Sequence, residues 1–375
     1  MRILQVVTLL SPDGAYGGPA RVALNQSAEL ISRGHDVMVV GAARGYRDVP
    51  AELNGVPATL FAAKTLLPGT GFAGMIAPGL RKWLRSNWAR FDVTHIHLGR
   101  DLVVLPTAET ARRRRIPYVL QTHGMVVPSN HPLAAPLDAV CTRRILRDAR
   151  AVFCLNPRER SQLMAVAGPT LRLVELDNGV PRYPAAQSPP GQPEVLFAAR
   201  MHPRKRPIAF VEMAKKLLDA GVDARFTLVG HDGGEGPAVR AALAKDPRIT
   251  WEGALTPDAI PARMAAAQVY VLPSVREPQP MSVLEAMSVG VPVVVTNDCG
   301  LAPLVERSRS GIVTDPTVSA LVAAVDSILG DRTAAQSMGE RGRRAVHTHF
   351  GMQAIGDRLL ATYADVVAEG RRCRG

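Results

Sequence analysis

Two glutamates, Glu277 and Glu285, stand eight positions apart in the stretch EPQPMSVLEAM. Pro278 and Pro280 exclude one continuous helix across it, because proline lacks an amide hydrogen and disfavours helical geometry in the residue before it. We therefore predict Glu277 on a loop and Glu285 in a helix that begins near Ser282. Two such carboxylates could act as an acid/base pair or as two halves of a ligand clamp.

The start of that helix has two interpretations. Ser282 and Glu285 match the capping box S-x-x-E, in which Glu285 only ties down its own helix. Alternatively, Glu285 accepts hydrogen bonds from ligand hydroxyl groups, while the backbone N–H groups of Met281, Ser282 and Val283 face a phosphate. The sequence leaves both open.

A pair of cations follows a predicted strand in LFAARMHPRKRP, at Arg200 and Lys205. Two fixed cations suit a diphosphate, because arginine can bind two oxygens at once and lysine supplies a point charge. A solvated basic loop is the alternative. The turn LVGHDGGEGP places Gly230 after another predicted strand, where the backbone could pass close to a nucleotide.

Histidines also stand at strand ends. His123 ends a strand in VLQTHG and could bind a substrate or transfer a proton, or it could be an ordinary satisfied polar group. His95 and His97 share one face of a strand, but the sequence shows no third ligand for a metal. We therefore predict no metal site.

A glycine-rich turn, SPDGAYGGPARVAL, follows the first predicted strand. Gly17 and Gly18 precede a helix that starts near Pro19, so the backbone could approach a ligand and the helix start could face an anion. The spacing is not G-x-G-x-x-G, so it indicates a dinucleotide site only weakly, and a flexible turn is the alternative.

The whole chain of 375 residues alternates short apolar runs with helical patterns, which predicts two α/β domains with parallel sheets covered on both faces. The proline-rich stretch NGVPRYPAAQSPPGQPE marks the boundary between them. Two doubly wound domains of this kind would face each other across a cleft, with ligands beyond the carboxyl ends of the strands. The predicted strands are Ile3–Leu9, Asp36–Val40, Val93–Ile96, Tyr118–Thr122, Ala151–Leu155, Leu171–Leu176, Val195–Ala198, Phe226–Val229, Ile249–Glu252, Val269–Leu272 and Pro292–Thr296.

The net charge of +12 lies mostly in the first half. Residues 1–180 hold 22 Lys and Arg against 13 Asp and Glu, a net charge of +9, which favours an anionic partner. No nucleic-acid motif is present and aromatic residues make up only 5%, so we favour a phosphorylated substrate or an anionic membrane surface. GLRKWLRSNWARF could be a basic amphipathic helix on a membrane, or a helix packed on its own sheet with a solvated basic rim.

Cysteine usage favours a reduced, cytoplasmic protein, because Cys141, Cys154, Cys299 and Cys373 show no metal-binding spacing. No apolar run approaches the ~18 residues of a membrane span. The opening MRILQVVTLL lacks a basic cluster and a cleavage site, so we interpret it as a buried strand rather than a signal peptide.

Taken together, these segments resemble the retaining, nucleotide-sugar-dependent glycosyltransferases of family 4. Glu277-x7-Glu285 followed by AMSVGVPVV looks like the family's E-x7-E signature, and FAARMHPRKRP is similar to its diphosphate-binding segment. GGPARVALNQSAELISRGHDV and DNGV resemble its glycine loop and the end of its first domain. The resemblance covers nearly the whole chain and implies the GT-B fold of two Rossmann-like domains.

The resemblance implies a role for each matching residue. Arg200 and Lys205 would hold the donor diphosphate, Glu285 the ribose, and Glu277 the hydroxyls of the donor sugar. His123 would contact the sugar or the reacting centre. The donor-binding set implied by the motifs and turns is Gly17, Gly18, Arg200, Lys205, Gly230, Met281, Ser282, Val283 and Glu285.

The domain organisation expected on this basis is an acceptor-binding domain at 1–180 and a donor-binding domain at 181–350. A helix in 351–375 would cross back onto the first domain. Four positions depart from the family pattern: Ala199 and Arg206 replace glycines, Pro280 stands where glycine is frequent, and Pro181 stands where aspartate is common.

The expected activity is metal-independent transfer of a hexosyl group, with retention of configuration, to a glycan or lipid-linked acceptor in envelope or extracellular polysaccharide or glycolipid synthesis. No Asp-x-Asp motif follows a predicted strand, so Arg200 and Lys205 would stabilise the leaving phosphate without a cofactor. We expect a cytoplasmic enzyme, peripheral on the inner face of the plasma membrane. The alternatives are a glycoside hydrolase or phosphorylase that uses the carboxylate pair, and a non-catalytic sugar-nucleotide-binding protein.

Overall fold

A computed structural model of the chain describes residues 1–14, 17–186, 191–244 and 246–372. It forms two compact units. The first takes in the described residues of 1–12, 16–179 and 352–375, and the second those of 13–15 and 180–351. Apart from residues 13–15, the unit boundaries lie within one residue of those expected from the sequence. Part of the proline-rich boundary segment, 187–190, and the predicted free Cys373 lie outside the described residues.

The first unit is built on an eight-stranded sheet in the order β10-β9-β8-β7-β1-β2-β4-β3, in which every neighbouring pair is parallel except β3 and β4. Two further short strands, β5 and β6, pair with each other. The strands are β1 (Arg2–Leu10), β2 (Asp36–Ala43), β3 (Glu52–Leu53), β4 (Val56–Ala62), β5 (Lys64–Thr65), β6 (Met75–Ile76), β7 (Val93–His97), β8 (Tyr118–Gln121), β9 (Ala151–Cys154) and β10 (Leu173–Glu175).

The central strands β7, β8 and β9 are buried along their whole length, as expected for a parallel sheet covered on both faces. Short 3₁₀ turns lie at Gly71–Gly74 and Trp88–Arg90, and a π-helical turn at Asp138–Thr142. The covering helices are α1 (Gly17–Ser32), α2 (Leu80–Asn87), α3 (Val104–Arg113), α4 (Ala134–Leu137), α5 (Arg143–Asp148) and α6 (Pro157–Ala167).

The second unit holds a six-stranded, fully parallel sheet in the order β13-β12-β11-β14-β15-β16. Its strands are β11 (Glu194–Ala198), β12 (Arg225–Val229), β13 (Ile249–Trp251), β14 (Val269–Leu272), β15 (Val293–Thr296) and β16 (Gly311–Thr314). Its helices are α7 (Pro207–Asp219), α8 (Gly236–Leu243), α9 (Ala259–Ala265), α10 (Met281–Val289), α11 (Ala302–Ser308), α12 (Val318–Gly330) and α13 (Arg332–His349).

The last helix, α14 (Met352–Arg372), belongs to the first unit. It buries a stripe of side chains at i, i+3 or i+4 spacing, which includes Ile355, Leu359 and Tyr363, against the core around β1 and β7. An Arg33–Asp357 ion pair of 2.6 Å joins it to α1.

The basic helix α2 uses its apolar face inside the first unit. Leu80, Leu84 and Trp88 are at most 4% exposed, and Trp83 and Phe91 pack against the same core. The face that could have entered a membrane is therefore taken up by the protein's own sheet. Only the basic rim of α2 remains exposed.

Candidate functional site

Three cations lie within six residues of the loop after β11 in the second unit. Arg200 is the second residue after the strand, and Arg204 and Lys205 lie in a 3₁₀ turn at Pro203–Lys205. The next residue, Arg206, adopts a left-handed conformation with φ 55° before α7 begins. This is one of the positions where the related family has glycine, so the chain tolerates here a strain of about 1 kcal/mol.

Glu277 lies against these cations. Its Oε2 accepts a hydrogen bond from Lys205 Nζ at 2.7 Å and lies 3.5 Å from Arg204 Nη2. The Lys205 and Glu277 side chains are only 17% and 12% exposed, so the pair is sheltered from screening by solvent. Because the local charge is still positive, this loop region can hold an anion beside a carboxylate.

Backbone bonds hold the two loops together. The Val275 amide donates to the Arg204 carbonyl oxygen at 2.9 Å, and Arg204 Nη2 donates to the Arg276 carbonyl oxygen at 3.0 Å. The Gly300 amide donates to the Glu277 carbonyl oxygen at 2.8 Å. The Lys205–Glu277 contact is therefore a fixed feature of the ends of β11 and β14.

Gly230 lets the loop after β12 pass close to the cationic loop. Its φ is 140°, and a Cβ there would overlap the Ala199 carbonyl oxygen. The glycine turn that follows is held by Asp232, whose Oδ1 accepts from the Gly234 and Gly236 amides at 2.8 Å each. These bonds lower the pKa of the Asp232 carboxyl group. Gly230 is thus required by close packing beside Arg200.

Helix α10 begins at Met281, one residue before the predicted start. Pro280 occupies the N-cap position, and no side chain caps the helix, so of the two interpretations the capping box is excluded. The Val283 amide donates to the Pro280 carbonyl oxygen at 3.2 Å, so it is not available to a ligand. The amides of Met281 and Ser282 have no acceptor within the helix, as in any first turn.

Glu285 lies in the interior part of α10 and is 5% exposed. It neighbours the hydroxyl group of Tyr270. Burial raises the pKa of that hydroxyl, the Ser282 side chain lowers it, and the charges of Glu285 and Glu277 raise it. The two glutamates are thus placed near one buried tyrosine, on a helix and on a loop as predicted from the prolines between them.

In the first unit, His123 lies in the turn after β8 with φ 51°, in the left-handed region. Glu159, in the first turn of α6, holds this turn on both sides. Its Oε1 accepts from Thr122 Oγ1 and from the Gly124 amide at 2.5 Å each, and its Oε2 accepts from the Leu155 amide at 2.7 Å. Because Glu159 is 1% exposed, it acts as a buried anchor for the His123 turn.

The His123 ring stacks on His97, with ring centroids 5.0 Å apart, and His97 stacks on His95 at 4.6 Å. Burial lowers the pKa of His123 to about 3, although a contact with Asn178 raises it. Burial likewise lowers the pKa of His95 to about 3 and that of His97 well below its usual value. All three imidazoles are therefore neutral near pH 7.

Asp101 is a second buried carboxyl group near the ends of β1 and β7. Its Oδ1 accepts from the Val103 and Val104 amides at 2.9 Å, and its Oδ2 accepts from Thr8 Oγ1 at 2.8 Å. Burial raises its pKa to about 6, although these hydrogen bonds lower it. Asp101 thus titrates close to neutral pH.

Gly17 and Gly18 form the first residues of α1, two residues earlier than predicted. A Cβ on Gly18 would meet no atom within 4 Å, so packing does not require glycine there. An open helix start at this point is compatible with the expected approach of a ligand. That approach stays a prediction.

Other expectations concern metals, cysteines and membrane spans. In the part of the chain that the structure describes, no group of three or more His, Cys, Asp or Glu side chains could hold a metal ion. Cys141, Cys154 and Cys299 are free thiols. No helix within the described ranges is long and apolar enough to cross a bilayer.

Several residues of these two regions were missed from the sequence. Arg204 could have been found in the charged run PRKR, and Glu159 in the first helical turn after an Asn-Pro helix start. Asp101 carries no signal, because an isolated polar residue after an apolar strand has no distinctive spacing.

Two Rossmann-like parallel-sheet units in one chain, with a cationic loop, a glycine turn and an E-x7-E segment after the strands of the second, define the GT-B class of glycosyltransferase. Solved structures show the same fold. The structure of Anabaena Alr3699/HepE in complex with UDP and glucose matches with a TM-score of 0.79 and 19% identity, over 97% of this chain and 99% of that one. Sucrose-phosphate synthase from Thermosynechococcus elongatus matches with a TM-score of 0.77 and 20% identity, over 98% and 100%.

The chain belongs to the family 4-like, group 1 glycosyltransferases. The family model described as glycosyl transferase 4-like domain matches residues 17–179, and that of glycosyl transferases group 1 matches residues 183–345. Among its relatives, the 2-deoxystreptamine glucosyltransferase of Streptomyces kanamyceticus is 27% identical, over 77% of this chain and 81% of its own. A GDP-mannose-dependent α-(1-6)-phosphatidylinositol monomannoside mannosyltransferase of Mycolicibacterium smegmatis is 28% identical, over 68% and 71%.

Proposed function

We propose that this glycosyltransferase moves a hexosyl group from a nucleoside-diphosphate sugar to a hydroxyl group of an anionic glycan or lipid-linked acceptor, with retention of configuration. The observation that carries the proposal is the Lys205–Glu277 pair of 2.7 Å within the cationic loop. A cation next to a carboxylate suits a ligand that has a charged diphosphate at one end and sugar hydroxyls at the other.

The chemistry asked of this region is charge stabilisation. When the bond between the anomeric carbon and the phosphate oxygen breaks, negative charge grows on the diphosphate. Lys205, Arg200 and the free amides at the start of α10 would stabilise it, at about 2–4 kcal/mol for each well-placed donor. The acceptor oxygen forms the new bond from the same face, and its proton passes to the leaving phosphate. We propose that no metal is needed.

Glu277 and Glu285 have different roles in this proposal. Glu277, on the loop beside Lys205, accepts hydrogen bonds from the hydroxyls of the donor sugar, and Glu285, on α10, accepts those of the ribose. His123 is the residue of the first unit proposed to contact the transferred sugar. The hydrolase alternative is disfavoured, because Glu277 is already engaged by Lys205 and by Arg204 rather than paired with a second carboxyl group.

The donor is tested by thermal shift with a panel of UDP-, GDP-, ADP- and dTDP-sugars, and UDP and UDP-glucose are the first choice because they are bound in the HepE structures. The best binder is then assayed for transfer. Arg200→Ala and Lys205→Ala should each abolish the stabilisation by nucleotide diphosphates. Unchanged shifts in both variants would exclude the clamp, and hydrolysis of a free glycoside without any nucleotide would favour the hydrolase.

The acceptor class follows from charge. The relatives act on 2-deoxystreptamine, a diamine, and on a phosphatidylinositol mannoside, an anion. The excess of +9 over residues 1–180 attracts the anion and repels the diamine. We therefore propose an anionic, lipid-linked acceptor in envelope or extracellular glycan synthesis, and a competition assay between the two acceptor types tests this choice.

A lipid-linked acceptor places the enzyme at the inner face of the plasma membrane. The basic rim of α2 includes the exposed residues Arg81 and Lys82. Leu66 and Leu67, earlier in the same unit, are 57% and 49% exposed. Cations and exposed apolar residues together suit an anionic lipid surface. This surface differs from the apolar face of α2, which is buried.

Liposome flotation with and without anionic lipid tests the membrane proposal. Arg81→Glu/Lys82→Glu should abolish binding to anionic vesicles. The control, Arg307→Glu/Arg332→Glu, changes the net charge equally at exposed positions of the second unit and should bind as the wild type does. Binding lost equally in both variants would point to net charge alone, and no binding by the wild type would end the proposal.

A further inference from the structure

His123, at the end of a strand in the first unit, belongs to a buried row of hydrogen-bonded side chains. His97 Nδ1 lies 2.7 Å from His123 Nε2, and His97 Nε2 lies 2.8 Å from Gln5 Oε1. Gln5 and His97 are both 0% exposed and come from the neighbouring strands β1 and β7. Both side chains are shielded from bulk solvent, so the proton positions are set by the bonded side chains themselves.

A neutral imidazole has one N–H donor and one acceptor nitrogen, so each ring in such a row determines the next. The amide oxygen of Gln5 only accepts, which places the hydrogen of His97 on Nε2. His97 Nδ1 is then an acceptor, so His123 must donate from Nε2. His123 is left with a lone pair on Nδ1.

The other end of this hydrogen-bonded group lies beside the Gln5 amide. Tyr363, on α14, has its hydroxyl oxygen 2.7 Å from His95 Nδ1, and the Gln5 side chain also neighbours that hydroxyl. Gln5 Nε2 meets no acceptor with hydrogen-bond geometry among the described residues, so the orientation of the amide is given by the contact of its Oε1 atom with His97.

We propose that Gln5 and His97 are positioning residues that hold His123 in the tautomer protonated at Nε2. His123 then accepts, and never donates, a hydrogen bond at Nδ1. Asn178 lies beside the ring, and no atom of the described residues meets His123 Nδ1 with hydrogen-bond geometry. The tautomer therefore leaves His123 Nδ1 as an acceptor for a ligand hydroxyl.

This inference rests on the proposed function only for what His123 does with a sugar. The tautomer itself is measured without substrate, so a failure here is separate from a failure of the proposed activity. The experiment is long-range ¹H–¹⁵N correlation NMR of the full chain labelled at histidine, with His123 assigned from the signal that is lost in His123→Asn.

The wild type should show His123 with a pyridine-like Nδ1 and a pyrrole-like Nε2 at pH 7. Gln5→Met keeps the volume of the side chain and removes the acceptor, so the His123 signals should move towards an average of the two tautomers. Gln121→Met is the matched control, because Gln121 is equally buried on the adjacent strand β8 and bonds to Gln26 rather than to a histidine. It should leave His123 unchanged.

Two results would overturn the proposal. One is a wild-type His123 that is protonated at Nδ1, which the assigned wild-type spectrum shows whether or not Gln5→Met folds. The other is a folded Gln5→Met whose His123 signals equal those of the wild type, because Gln5 would then have no influence on the tautomer.

Discussion

Removing the charge of Lys205 tests the candidate donor site most directly. In Lys205→Met the aliphatic part of the side chain remains, and the hydrogen bond of 2.7 Å to Glu277 is lost. Among the described residues, the cation that remains beside Glu277 is Arg204, at 3.5 Å. Two effects follow, one on stability and one on the ligand, and they are separable.

The effect on stability comes from a sheltered ion pair. A hydrogen bond between charged groups contributes about 1.5–3 kcal/mol, and the side chains here are only 17% and 12% exposed. The effect on the ligand comes from the loss of one cation beside the developing phosphate charge, about 2–4 kcal/mol of transition-state stabilisation. That range corresponds to a value of kcat/KM lower by roughly 30- to 1,000-fold.

The assay combines thermal unfolding, with and without UDP or GDP, with kcat/KM for the donor found in the screen. Glu277→Gln and the double variant complete a cycle, in which the coupling between the two residues gives the strength of the pair in the free protein. Lys215→Met is the control, because Lys215 is also partly buried and bonds only to a backbone carbonyl, that of Ala242. A Lys205→Met protein that is less stable but gains as much as the wild type from nucleotide would show that the pair is only structural.

Three further predictions concern single residues. Glu159→Gln should destabilise the fold by about 1–3 kcal/mol, because the NH₂ group of the glutamine must face buried donors. It should also lower kcat by loosening the His123 turn. Chemical denaturation and kinetics check this, and a variant with unchanged kcat would exclude a positioning role. The pKa of Asp101 is about 6, above its ordinary value of 3.8, so the unfolded chain binds fewer protons between these values and stability should fall as pH rises from about 4 to 6. Between these pH values the free energy of unfolding of the wild type should fall by up to about 3 kcal/mol more than that of Asp101→Asn, as measured by denaturation at several pH values. Identical pH slopes would contradict the assignment. Gly230→Ala should lose nucleotide-induced stabilisation together with at least about 1–3 kcal/mol of stability, since a Cβ would overlap the Ala199 carbonyl oxygen; a thermal shift equal to the wild type would refute this.

The sequence predicted the alternating organisation well because long buried strands carry a strong apolar signal. It missed β4 and β16 for a physical reason. β4 (VPATLFA) is largely exposed or half-buried and contains a proline, and β16 (GIVT) is a short edge strand that begins with glycine. Both strands therefore lack the continuous apolar run that marks the central strands.

The candidate site was also predicted only in part from the sequence. Individual residues such as His123, Lys205 and Glu277 were found because they follow predicted strands, and parallel sheets gather such residues at one edge. The contact between Lys205 and Glu277 joins positions 72 residues apart and depends on the pairing of β11 with β14, which the sequence does not specify. The predicted start of α10 was one residue late. Pro280 occupies the N-cap position, and the capping-box pattern lies inside the helix.

The return of α14 to the first unit has a consequence for synthesis on the ribosome. The second unit is nearly continuous along the chain and can fold as soon as Gly351 has emerged. The first unit stays incomplete until the last helix arrives, with the core around Ile3, Val93 and Phe153 uncovered and His95 without its partner Tyr363. The half of the enzyme that is made first is thus finished last, and a chain cut off before α14 should expose this core to chaperones and proteases while its second unit is already folded.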